Sequence, residues 1–111
     1  MDKTNKSIQK FVDQTSKHFN SLPWEDEKFY ANWLAQTYYF TRNVTRALAK
    51  AAAQCAHDQN DLHKAMIHGI SEEKNHDAIA LTDLKKLGYS ILDFQENPST
   101  TAYYSTLMHL I

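Results

Sequence analysis

The sequence predicts an all-α domain of about four helices, and three observations carry that reading. Only two glycines and two prolines fall in 111 residues, while the good helix formers Ala, Leu, Lys, Gln and Glu are abundant. Apolar residues recur at three- and four-residue spacing over long stretches, which is the period of one helix face. Recognisable boundaries separate those stretches: Ser21-Leu22-Pro23, Asn60, Gly88 and Asn97-Pro98.

The first helix is expected from about Lys6 to Asn20, with Ile8, Phe11, Val12 and Phe19 on one side. The second is expected to be long, from about Glu25 to His57, with Glu25, Asp26 and Glu27 in the first turn, where the helix dipole favours acids. Its inner stripe reads Phe29, Trp33, Gln36, Phe40, Val44, Ala47 and Ala51, with Asn43 at the edge, and the alanine-rich end lets a neighbouring helix come close. The third is expected over Asp61 to Leu87, with Asn60 as N-cap and Gly88 as the stop. Gly69 inside it costs about 1 kcal/mol relative to alanine and so marks a close approach or a bend. Asn97-Pro98 opens the fourth, whose Tyr103, Tyr104, Leu107, Met108 and Ile111 form an apolar surface in need of a partner. That pattern is still running at Ile111, so 1–111 reads as a single helical domain forming the amino-terminal part of a larger bundle.

Composition narrows the function. Twelve Lys and Arg balance thirteen Asp and Glu, so no basic excess is available to track a nucleic-acid backbone. One cysteine, Cys55, rules out an internal disulfide and suits a reducing compartment. The polar start from Met1 to Lys10 does not resemble a signal peptide, and no stretch approaches the ~20 apolar residues of a membrane span. A soluble cytoplasmic protein is expected, with no nucleic-acid or membrane partner.

The chemistry centres on Glu73. At 100° per residue, Leu62, Met66, Ile70, Ala80, Leu84 and Leu87 fall into one stripe of the third helix, with Glu73 in its middle and His76 and Asp77 beside it. An ionised carboxylate in a dry core costs several kcal/mol unless it is paired, protonated or metal-bound. Carboxylate and imidazole three residues apart point to nearly the same side and can share one metal ion, as in the Glu-x-x-His units of di-iron bundles. The alternative is a buried salt bridge from Glu73 to Arg42 or Arg46, with His76 a satisfied core histidine. Asp77 and Glu72 are further ligand candidates; Asp77 suits a carboxylate orienting an imidazole from behind, while Glu72 with His68 suits a solvated face. Gln36 and Phe40 are the candidate pocket residues. An amide in an apolar stripe must find a hydrogen-bond partner, either a ligand or another helix.

These residues give the chain its resemblance. Phe29-x3-Trp33-Leu34-x-Gln36-x-Tyr38-x-Phe40-x-Arg42, then Glu72-Glu73-x2-His76-Asp77 and Leu87-Gly88, resemble in order and spacing the amino-terminal half of the heme-oxygenase-like helical superfamily. That group includes thiaminase II (TenA-like) proteins, pyrroloquinoline-quinone synthase-like proteins and the heme-oxygenase-like di-iron oxidases. Thiaminase II members usually carry Gln-Asp-Tyr in the long helix, whereas Thr37 stands at the aspartate position here. Glu73 and His76 instead resemble the first metal-binding pair of the di-iron oxidases, whose remaining ligands come from later helices. The resemblance therefore implies an incomplete heme-oxygenase-like bundle. Its function would be that of a non-haem iron oxidase or oxygenase, or a fragment of one, acting on a small organic substrate. Iron would be the cofactor, with Glu73 and His76 as ligands, and a homo-oligomer could bring two such pairs together. A metal-free thiaminase-like hydrolase and a non-catalytic helical dimerisation module are the alternatives.

Overall fold

Asp2 opens the first helix by accepting the Asn5 amide hydrogen at 2.9 Å, which satisfies one of the donors every helix start leaves free. The computed structural model describes residues 2–111, and over them the chain is all-α, without a strand. Six α-helices follow in order: α1 Lys3–Ser21, α2 Glu27–Thr41, α3 Val44–Gln54, α4 Asn60–Glu73, α5 His76–Lys86 and α6 Pro98–Leu110. Short 3-10 turns lie at His57–Gln59 and Ile91–Asp93. No helix among the described residues is long and apolar enough to cross a membrane.

The chain divides into two compact units, Met1–Tyr30 and Ala31–Ile111. In the first, α1 has no buried residue. Its C-terminus is fastened by Trp24, whose indole N–H donates to the Phe19 carbonyl at 2.7 Å and whose ring lies 4.6 Å from Phe19 and 5.3 Å from Phe29. Asp26 then accepts the Phe29 amide hydrogen at 3.0 Å and starts α2.

The second unit departs from the sequence expectation at two places. The helix expected from Glu25 to His57 is broken at Arg42-Asn43, and the one expected from Asp61 to Leu87 is broken at Lys74-Asn75. Asparagine is responsible both times. Asn43 turns its side chain back on its own helix, donating Nδ2 to the Tyr39 carbonyl at 3.2 Å, while its amide tightens to the Phe40 carbonyl at 3.0 Å. Asn75 adopts φ 76°, the left-handed conformation that ends helices and that asparagine tolerates better than other non-glycine residues.

The breaks move the core. Buried positions are Ala31, Leu34 and Ala35 of α2, Ala47 and Ala52 of α3, and Ala80 and Leu84 of α5. The stripe expected along α2 is therefore displaced: Ala31, Leu34 and Ala35 are buried, while Phe29, Gln36 and Phe40 stay half-buried and Trp33 exposed beside them. In α4, Leu62 is exposed, and only the α5 half of the expected stripe, Ala80 and Leu84, reaches the core.

Helices α3 and α4 pack as neighbours. A Cβ at Gly69 would stand 3.4 Å from Leu48 Cδ1, so this glycine marks a close approach. His63 Nδ1 lies 2.6 Å from the Ala52 carbonyl and ties α4 to the end of α3. Helix α5 stops in a Schellman arrangement: Gly88, at φ 89°, donates to Lys85 O at 2.9 Å and Tyr89 donates to Leu84 O at 3.2 Å. Helix α6 begins with Pro98 in its first turn and meets α3 where the Lys50 ammonium donates to the Met108 carbonyl.

Candidate functional site

Glu73 is the last residue of α4 and His76 the first of α5, so the break at Lys74-Asn75 lies between them. The pair nevertheless meets: Glu73 Oε2 and His76 Nδ1 are 2.8 Å apart. The side chains are 38% and 48% exposed, so the dry-core position expected for Glu73 is corrected to a half-buried one. The cause is Asn75. Its left-handed turn swings α5 out of line with α4, and the continuous stripe that enclosed Glu73 on a straight helix no longer exists.

Two depressions share Glu73 as a wall. One, of about 570 Å³, lies where the two helix breaks approach each other and is lined by Arg42, Thr45, Arg46, Glu73, Lys74 and Asp77 among others. The other, of about 430 Å³, is an apolar groove between α3 and α6, lined by Phe40, Val44, Ala47, Leu48, Ala51, Tyr104, Leu107 and Ile111. Asp77, half-buried, thus stands in the same cavity wall as Glu73. Glu72 points elsewhere: its carboxylate pairs with His68 Nε2 at 2.9 Å, with both side chains largely exposed. The salt bridge considered between Glu73 and an arginine is not the one formed. Arg42 instead lies over the rings of Tyr38 and Tyr39, at 5.6 and 4.9 Å from their centroids, and reaches Glu96 at 3.4 Å.

Chemically, a carboxylate oxygen and an imidazole nitrogen this close form a hydrogen bond, which here also staples α4 to α5 across their break. The same two atoms can serve one cation. Donors at about 2.0–2.2 Å from an ion and roughly 90–110° apart are separated by about 3.0–3.4 Å, so a few tenths of an ångström of opening admits it. Among the described residues, no group of three or more His, Cys, Asp or Glu side chains is placed to hold a metal ion. An open catalytic metal site takes about three protein ligands. The pair thus fits one edge of a metal site and not a complete one.

Gln36 and Phe40 do come together, in the wall of a shallow depression of about 420 Å³ shared with Trp33, Thr37, Thr100 and Tyr103. The amide of Gln36 is already committed. It donates to the Gln95 carbonyl at 2.8 Å and accepts from the Asn97 amide and the Thr100 hydroxyl at 2.8 and 2.9 Å. Of the two partners open to it on sequence grounds, the structure supplies the structural one. Phe40 stacks edge-on against Tyr103 at 5.2 Å, and Thr37 donates to its own helix at the Trp33 carbonyl. The Tyr39 hydroxyl donates to the Phe94 carbonyl at 2.7 Å, a bond with no local sequence signal because its partner lies 55 residues away.

No protein-family model, curated protein or solved structure matches the chain.

Proposed function

We propose that this chain contributes Glu73 and His76 to a non-haem iron oxidase or oxygenase acting on a small organic substrate, in the manner of the heme-oxygenase-like di-iron oxidases that its motifs resemble. The observation supporting it is the convergence of Glu73 Oε2 and His76 Nδ1 to 2.8 Å beside an apolar groove. Iron, when bound, would supply the activation of dioxygen. The chain's own residues would hold one edge of the ion, while Phe40, Val44 and Leu107 offer an apolar wall next to it. Two donors do not complete the centre, so the further ligands come from a second copy of the chain, which duplicates the pair, and no catalytic step is assigned to one pair alone. Anaerobic titration with ferrous iron tests the reading. Iron uptake and a rise in the thermal midpoint are expected for the unaltered chain, since a ligand of the folded state stabilises it. Both should be lost in Glu73→Ala and in His76→Ala. No uptake, or variants that bind as well as the parent, overturns the proposal.

A second reading, a non-catalytic helical module that works by association, is favoured by a different observation. Helix α1 carries Ile8, Phe11, Val12 and Phe19 on one side and leaves all four exposed.

A further inference from the structure

We propose that α1 lies along an anionic lipid surface with its apolar stripe sunk among the acyl chains. The inference rests on the association reading, to which it gives a partner, and it is independent of iron.

Helix α1 has two distinct faces and no buried residue. At 100° per residue, Phe11, Ile8, Phe19 and Val12 fall within about 100° of its circumference, a sector that holds no charged residue. Lys3, Lys6, Lys10 and Lys17 fall within about 60° on the opposite side. The apolar groups are large and open to solvent: Ile8 is 56% exposed and Phe11 68%. Bulky aliphatic and aromatic groups on one face, lysines on the other and a low overall hydrophobicity place a helix in the plane of a membrane interface. Such a helix lies on the bilayer instead of crossing it, so it needs no long apolar run.

Charge singles out the same element. Four lysines and one acid give α1 a charge of +3 in a chain whose total is −1, so the remaining residues carry −4. A negatively charged surface draws in this helix and repels the rest of the chain.

The two faces together select the partner. A nucleic acid would engage the lysines and leave the stripe in water. A protein groove would cover the stripe and leave the lysines, on the far side, without a counter-charge. An anionic bilayer engages both. A helix is about 10–12 Å across and an interfacial one sinks by about 5–10 Å. The lysines then stand within roughly one Debye length of the phosphates, ~8 Å at physiological salt, where each still feels the surface potential. Their flexible stems shorten that distance further.

Co-sedimentation of the full chain with vesicles tests this, and a chelator in the buffer keeps the outcome separate from that of the iron reading. Binding is expected to vesicles of equimolar phosphatidylcholine and phosphatidylserine, with little to phosphatidylcholine alone. Raising the salt from about 0.1 M to about 1 M, which cuts the Debye length from about 10 Å to about 3 Å, should release the chain. Lys10→Gln should weaken binding about fivefold, the share of one lysine near the surface. Phe11→Glu should abolish it with unchanged far-ultraviolet helicity, because Phe11 is exposed. No binding to the anionic vesicles, binding that Phe11→Glu leaves intact, or binding indifferent to both salt and Lys10→Gln overturns the proposal. Sedimentation equilibrium without vesicles keeps that failure apart from failure of the association reading. A dimer that is lost in Phe11→Glu, from a chain that binds no vesicles, overturns the lipid surface as the partner and leaves association through α1 standing.

Discussion

Asn75 holds φ at 76°, and the juxtaposition of Glu73 with His76 depends on it. An L-residue with a Cβ pays about 1–2 kcal/mol in this conformation, asparagine less and glycine almost nothing. Asn75→Ala should lower stability by about 1 kcal/mol and Asn75→Gly should match or exceed the parent, with urea denaturation as the measurement. Equal stability for all three would mean that the turn does not constrain the chain. The same residue explains what the sequence could and could not reveal about the site. Glu-x-x-His was legible, because three-residue spacing brings two side chains to one side of a straight helix, and the turn at Asn75 brings the same two together by another route. The exposure of Glu73 was not, since one asparagine with positive φ looks like any polar residue of a helix face and yet reorients everything after it. Gln36 shows the complementary limit: the need for a partner could be read locally, but its identity, at Gln95, Asn97 and Thr100, depended on a contact about sixty residues distant.

At the scale of elements, α3 and α4 make the most extensive helix–helix contact among the described residues, and Gly69 lies at it. Its would-be Cβ meets only the tip of Leu48, at an ordinary van der Waals distance of 3.4 Å. Gly69→Ala should therefore recover most of the glycine penalty and raise stability by about 0.5–1 kcal/mol, whereas Gly69→Leu should force the helices apart and cost about 1–3 kcal/mol. Thermal unfolding of the two variants reads both signs, and a destabilising alanine would place the backbones closer than this contact indicates. Boundaries set by backbone geometry were plain from sequence: Gly88 and Pro98 stop and start helices because of what their own backbones permit. The two internal breaks were hidden, because asparagine at 43 and 75 weakens a helix by only a fraction of a kcal/mol and leaves the apolar period around it intact.

For the whole molecule, the core is small in volume as well as in number. Among the described residues, five of the seven that are buried are alanine, and Leu84 is the largest side chain fully enclosed. Alanine brings helices close but removes little apolar surface from water, at about 0.8 kcal/mol per buried methylene-sized group. Leu84→Ala should consequently cost about 2–5 kcal/mol, a large share of the 5–15 kcal/mol available to an ordinary domain. A loss of unfolding free energy in urea much below that range would show that the core lies elsewhere. Over Ala31–Ile111, the bonds formed by Gln36 carry a consequence in time. Helices α3 and α4 are joined by five residues and can pair early, whereas seating the start of α6 on α2 requires closing a loop of about sixty residues, a search whose entropy must be met before any of its bonds is made. Loop closure therefore predicts that α3 pairs with α4 before α6 is seated, and that in reverse the wall formed by Tyr104 and Leu107 swings away before α3 and α4 part. The groove beside Glu73 is in this sense a door hinged at the Gln36 amide and latched by the Lys50–Met108 and Phe40–Tyr103 contacts.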